Sequence, residues 1–106
     1  MQTKPENDTD LKDKVNRETA RVRWDELERH FAQGNVIYVS ETLDLIDVAV
    51  RISHDDKENI ARWMGEGRIG KVSDVQAQSW AAGEVGLWAS VVHPFILVQP
   101  DKKQIN

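Results

Sequence analysis

The chain contains no cysteine among its 106 residues. Disulfide bonds, cysteine-ligated zinc sites, iron–sulfur clusters and thiol nucleophiles are therefore excluded. A secreted domain of this size usually needs disulfides to supplement its modest core. The absence of cysteine favours a reducing compartment, and we expect a cytoplasmic protein.

Long apolar runs are also missing. No stretch approaches the ~20 apolar residues that are needed to cross a bilayer. The first residues, "MQTKPENDTDLKDK", lack the apolar core of a signal peptide. We therefore expect no membrane segment and no membrane partner.

An excess of positive charge is missing as well. The sequence has 14 Lys and Arg against 18 Asp and Glu, and its net charge is −4. Because no basic face can be found, we expect no nucleic-acid partner. Between residues 40 and 60 only Arg51 and Lys57 are basic, whereas the acidic residues are Glu41, Asp44, Asp47, Asp55, Asp56 and Glu58. A charged partner of this segment should therefore be cationic.

The length of the chain argues for a single domain. Residues 1–16 are polar and charged, so they predict a flexible N-terminal tail. The last residues, 100–106, have a similar composition and predict a C-terminal tail. Residues 17–99 are then the globular domain.

The first half of this domain combines helical and strand patterns. "ETARVRWDELERHFAQG" predicts a helix, because its apolar residues fall on one helix face: Ala20, Trp24, Leu27 and Phe31. "NVIYVS" predicts a strand at residues 36–40 that is covered on both faces, because no polar residue interrupts its apolar run. Residues 43–52 form the most apolar helix, which should be largely buried.

The second half of the domain also combines helical and extended patterns. "DDKENIARWMGEG" predicts a helix with Ile60, Trp63 and Met64 facing inward, and Ser73 and Gln76 match a capping box at the start of another helix. "RIGKVS" and "GLWASVVHPFILVQ" predict extended segments, the latter divided by a bend at its proline. We expect an α+β domain in which three or four helices pack on a small, mostly antiparallel sheet.

The buried helix carries a narrow polar edge of Asp44, Asp47 and Arg51. Asp47 and Arg51 are four residues apart with the acid first, which is the favourable order for a helical ion pair. In one interpretation the edge is where a buried helix meets water. In the other it is a ligand-binding site whose carboxylates bind a cation or accept a proton and whose arginine holds an anion.

The most chemical-looking stretch is "ISHDDKENIARW". His54 and the two following aspartates are adjacent, so on a helix they would diverge rather than converge on a metal ion. Helix capping explains the segment better, with Asp55 and Glu58, or Ser53 and Asp56, as the capping pair. His54 joins the candidate ligand-binding residues if it points back toward the polar edge. We expect no metal here.

The stretch "GEGRIG" matches the glycine spacing of dinucleotide-binding loops. Such a loop follows a strand and opens directly into a helix. Here a helix precedes the glycines and an extended segment follows them, which indicates a helix stop and a turn. We therefore expect no cofactor.

Four tryptophans are many for this length. Each has apolar neighbours, which favours core packing. Trp88, in "GLWASVV", is the candidate interface residue, because the apolar closing strands need cover and a second copy of the chain would provide it.

Three pieces of the sequence taken together resemble a known family: "ETARVRWDELERHFAQGNVIYVSETLDLIDVA", the tryptophans Trp63 and Trp80, and "LWASVVHPFILVQ". They are similar to a bacterial family of small uncharacterised proteins, domain of unknown function 2288. The resemblance implies a bacterial, cytoplasmic protein and supplies no activity or catalytic residues. From the residues themselves we expect a non-enzymatic protein-interaction module that acts as a homodimer. The alternative is a small enzyme or ligand-binding protein that uses the polar edge.

Overall fold

A computed structural model describes residues 19–83 and 85–101. None of the helices within these ranges is long and apolar enough to span a membrane. The described residues form five strands, four α-helices and a 3-10 turn. In chain order these elements are β1 (Thr19–Val22), the 3-10 turn (Trp24–Glu26), α1 (Glu28–Ala32), β2 (Val36–Val39), α2 (Leu45–Ser53), α3 (Lys57–Gly65), β3 (Ile69–Lys71), α4 (Asp74–Ala81), β4 (Leu87–Val92) and β5 (Phe95–Pro100).

The strands form one sheet in the order β1-β4-β5-β2-β3. β4 and β5 are an antiparallel hairpin, β1 is antiparallel to β4, and β3 is antiparallel to β2. β2 and β5 run parallel. The predicted α+β fold with a mostly antiparallel sheet is confirmed, although the sequence did not predict β1 or the parallel pair.

Helices cover both faces of the sheet, so the domain has two apolar clusters. Strand β2 shows the division, because Val36 belongs to the first cluster and Val39 to the second. The first cluster includes Trp24 and Trp80, and the second includes α2 and Trp63. Successive side chains of a strand point to opposite faces, which explains why β2 is apolar throughout. The prediction of a strand covered on both faces and a buried central helix is confirmed.

The predicted helix spanning Ala20 to Phe31 is wrong in its first half. Residues Thr19–Val22 pair with β4 as the edge strand, and α1 begins only at Glu28. Ala20 is exposed on this strand, whereas Trp24 and Leu27 are buried. Tertiary pairing overrides the helical spacing here, because β4 offers β1 a full ladder of backbone hydrogen bonds.

The link between α2 and α3 also differs from the prediction. Neither Asp55 nor Ser53 caps α3. The cap is Asp56, whose side chain accepts a hydrogen bond from the Asn59 amide. Asp55 takes a left-handed φ of 56° after the end of α2, which displaces the start of α3 by one residue. Ser53 instead donates to the Ala49 carbonyl at 2.9 Å.

Two predictions about the ends of helices are confirmed. In "GEGRIG", α3 ends at Gly65, Gly67 has a φ of 74°, and β3 begins at Ile69, so the glycines form a helix stop and a turn. Ser73 and Gln76 form the expected capping box at the start of α4.

The predicted inward orientation of Met64 is wrong, since 56% of this residue is exposed.

The ends of the predicted domain are only partly described. Residues 1–16, which the sequence assigns to a flexible tail, lie outside the described residues. At the other end, Pro100 completes β5 and Asp101 bonds to Arg21 and Trp88, so the sheet extends beyond the predicted boundary at residue 99.

Candidate functional site

A groove opens between the start of α2 and strands β1 and β4. Its volume is about 550 Å³, which falls within the size range of small-ligand sites. We call it the Trp88 groove. It is lined by Thr19, Thr42, Leu43, Asp44, Leu45, Ile46, Trp88 and Gln99. The groove therefore combines two predicted site residues, Asp44 and Trp88, that are far apart in sequence.

One side of the groove is held in place by Gln99. Its side-chain amide donates to the backbone carbonyls of Ser40 at 2.8 Å and Leu43 at 2.7 Å. Gln99 is only 9% exposed, so these bonds are largely shielded from water. They fix the segment that leads into α2 against β5, and this side of the groove is preorganised.

The other side is the Trp88 ring, which a carboxylate and a guanidinium hold together. The indole Nε1 donates to Asp101 Oδ1 at 2.9 Å. Arg21 Nη2 lies 2.7 Å from Asp101 Oδ2, and Arg21 Cζ lies 5.1 Å from the centre of the Trp88 ring. We call these three side chains the Asp101 clamp. It fixes the ring although 36% of Trp88 is exposed.

Gly86 makes the clamp possible. The Asp101 backbone amide donates to the Gly86 carbonyl at 2.9 Å, which brings the end of β5 across the start of β4. A Cβ atom at position 86 would overlap Arg21 Nη2 and Asp101 Oδ2. Glycine therefore leaves room for the ion pair in its observed arrangement.

The structure separates the predicted polar edge of α2 into two parts. Asp44 lines the groove and caps the helix, since its Oδ1 accepts from the amides of Ile46 at 2.9 Å and Asp47 at 3.3 Å. Arg51 lies 3.7 Å from Asp47 and 3.8 Å from Asp56. Neither Asp47 nor Arg51 lines the groove.

His54 ends α2 and is exposed, as expected for a residue in the link between two helices. Over residues 19–83 and 85–101, no three histidine, aspartate or glutamate side chains converge as a set that could hold a metal ion. The roles of Asp44, Asp47, Arg51 and His54 in ligand binding remain predictions.

Asp56 has a lowered pKa for structural reasons. The Asn59 side chain donates to Asp56 Oδ2 at 2.7 Å, which is the main cause, and the Asn59 amide donates to Oδ1 at 3.3 Å. The positive charges of Arg51 and Arg62 lower the pKa further. Each contact stabilises the ionised form, so this carboxylate serves the cap of α3.

The β1 edge of the described sheet carries exposed apolar groups on both faces. Ala20 is paired with Ala89, so Ala20 and Val91 share one face while Trp88 lies on the other. Val91 is 38% exposed and Trp88 is 36% exposed. The sequence identifies Trp88 in this surface but not Ala20, because the apolar spacing around Ala20 predicts a helix.

Comparison with known proteins agrees with this architecture. The model of the family described as "Protein of unknown function (DUF2288)" matches residues 10–100. The chain belongs to this family. The resemblance found in the sequence is thereby confirmed, and the family description assigns no activity.

A solved structure supports the same fold. The chain is 32% identical to PA1075 from Pseudomonas aeruginosa, whose structure was determined in solution by NMR. The match has a TM-score of 0.79 and covers 100% of this chain and 98% of that chain. Among curated proteins, none matches the chain.

Proposed function

We propose that the protein is a non-enzymatic protein-interaction module that acts as a homodimer, joined along strand β1. The observation that carries this proposal is the edge position of β1 in the described sheet, flanked by exposed apolar groups. An edge strand presents unpaired backbone donors and acceptors on its outer side, and proteins usually cover or block such edges.

A second copy of the chain fits this edge. Two β1 strands related by a two-fold axis pair antiparallel, so the contact is self-complementary. Over residues 20–22 the strand includes no proline, so each amide that points away from β4 can act as a donor. Pairing would also bring cover to Ala20 and Val91, the exposed apolar groups on one face, while Trp88 on the other face stays beside the groove.

Binding is favoured over catalysis because the acids of α2 have structural partners. Asp44 caps the helix, and Asp47 and Asp56 lie within ion-pair distance of Arg51. The alternative of a small enzyme or ligand-binding protein retains one supporting observation, which is that Asp44 lines a groove. We place the protein in the bacterial cytoplasm, on the basis of its lack of cysteine and its relative in Pseudomonas.

The oligomeric state tests this proposal. Light scattering after size exclusion should give twice the chain mass at high micromolar concentration. The Ala20→Glu variant introduces a buried charge from each copy at the proposed contact and should elute as a monomer. Val75 provides the matched control, because it is 76% exposed on α4, outside the sheet. Val75→Glu should leave the dimer intact.

Two results would refute the dimer. One is a monomeric mass for the unaltered chain at high micromolar concentration. The other is an Ala20→Glu variant that remains dimeric while its circular dichroism matches that of the unaltered chain, because β1 would then lie outside the interface.

A further inference from the structure

We infer that the Trp88 groove binds a lysine or arginine side chain of a partner polypeptide. The inference rests on the proposed interaction role and names the chemistry of the partner. It combines three observations about the groove: an available carboxylate oxygen, a fixed aromatic ring, and an excess of negative charge nearby.

Asp44 supplies the carboxylate. Its Oδ1 accepts the two amide hydrogen bonds that cap α2, whereas Oδ2 accepts none from the residues that the structure describes. The carboxylate also occupies the helix N-terminus, where an anionic ligand would otherwise bind. The groove therefore disfavours anions, and a cation that enters it can form a charge-assisted hydrogen bond with Oδ2.

Trp88 supplies the aromatic surface. Arg21 contacts the ring but does not line the groove, so part of the ring remains open to a ligand there. The Asp101 clamp holds the ring in place before binding, which lowers the entropic cost of association. A lysine or arginine can lay its apolar stem against Trp88, Leu43 and Ile46 while its charged end reaches Asp44.

The surrounding charge favours a basic partner. Two basic residues lie between residues 40 and 60, and both are close to acids. Arg51 lies near Asp47 and Asp56, and Lys57 lies 3.8 Å from Asp55. Beyond these ion pairs, Glu41 and Asp44 add two carboxylates near the start of α2. Among the described residues, Arg21 contacts the Trp88 ring, and Asp101 offsets its charge. The described residues around the groove therefore carry a net negative charge.

NMR titration with short peptides tests the inference. The probe is a capped lysine–leucine–lysine amide, and the control peptide is its glutamate–leucine–glutamate counterpart. The Trp88 indole N–H signal, identified by its loss in the Trp88→Phe variant, should shift with the lysine peptide and stay in place with the glutamate peptide. Raising the salt concentration should weaken the binding, because the contact is only partly shielded from solvent.

A pair of substitutions on one helix locates the binding site. Asn caps a helix about as well as Asp, so Asp44→Asn removes the charge and retains the cap. We expect it to weaken binding of the lysine peptide by about three- to fivefold, which is the scale of one partly exposed charge contact. Asp47→Asn removes a charge of the same helix outside the groove and should change the affinity by less than about twofold.

Three outcomes would overturn the inference: equal shifts with both peptides, undiminished affinity in Asp44→Asn, or equal losses in both variants. The last would indicate general attraction to an acidic surface. Light scattering separates the inference from the dimer proposal. A monomer that binds the lysine peptide through Asp44 refutes only the dimer, whereas a dimer that ignores the peptide refutes only the groove ligand.

Discussion

Replacing Gly86 by alanine tests the Asp101 clamp most directly. The new methyl group would overlap the ends of the Arg21 and Asp101 side chains, so these flexible ends must shift, and we expect their ion pair to open. Both side chains are partly exposed, at 55% and 36%, which limits the pair to about 0.2–1 kcal/mol. The indole hydrogen bond and the Arg21–Trp88 contact depend on the same geometry and add about 0.5–1 kcal/mol each.

These contributions overlap, and we expect loss of the clamp to cost about 1–2 kcal/mol. An opposing effect comes from the unfolded chain. The φ angle of Gly86 lies outside the left-handed region, so alanine should stabilise the protein by about 0.4–1 kcal/mol through lower unfolded-state entropy. The net destabilisation should therefore be about 1 kcal/mol, which lowers the melting temperature of a domain of this size by about 4–8 °C.

The decisive assay is a double-mutant cycle in urea. In a background that carries Arg21→Met and Asp101→Ala, the methyl group at position 86 no longer meets the ion pair. Gly86→Ala should then be neutral or stabilising by about 0.5 kcal/mol. If Gly86→Ala costs the same free energy in both backgrounds, the cost lies in the backbone and the clamp does not depend on this glycine.

Two further predictions concern Ser90 and Asp56. Ser90 is fully buried, and its hydroxyl has no hydrogen-bond partner among the residues that the structure describes. Ser90→Ala should therefore leave the free energy of unfolding unchanged or raise it by up to about 1 kcal/mol in urea denaturation, and a clear loss would indicate an unrecognised partner. The lowered pKa of Asp56 means that its stabilising contribution is present above the ordinary pKa of 3.8 and is lost as the pH falls through the lowered value. Asp56→Asn keeps a capping oxygen but has no carboxylate to protonate at this position. Its free energy of unfolding should therefore fall less than that of the unaltered chain over that acidic interval in urea denaturation.

Periodicity predicted the elements whose local pattern and tertiary environment agree. The buried helix α2, the doubly covered strand β2 and the capping box at Ser73 all follow from spacing and from the chemistry of neighbouring residues. Strand β1 could not be predicted in this way, because its conformation depends on pairing with β4, nearly seventy residues later. The apolar spacing from Ala20 to Phe31 fits a helix, although Ala20 turns out to be exposed on the sheet edge.

The candidate site was predictable only in fragments. Asp44 and Trp88 were each identified from sequence, but their meeting in one groove depends on how α2 packs on the sheet. Gln99 has a usable sequence signal, since it is the first polar residue after the apolar run "FILV". In the structure its side chain is buried against backbone carbonyls, as a polar residue that continues such a run would have to be. Asp101 carried none, because it lies in a segment whose composition is that of a tail.

The Asp101 clamp connects the β1 edge with the Trp88 groove. Dimerisation and peptide binding should therefore respond differently to substitutions at Gly86 and Asp44. Arg21 belongs to the edge strand, while Trp88 forms one side of the groove, and Asp101 bonds to both. Opening the clamp through Gly86→Ala should therefore weaken both dimerisation and peptide binding. Asp44→Asn leaves the clamp untouched, so it should weaken peptide binding alone. Normal dimerisation in Gly86→Ala, with the clamp shown to be open by a shifted Trp88 indole signal, would mean that the edge strand does not depend on Asp101.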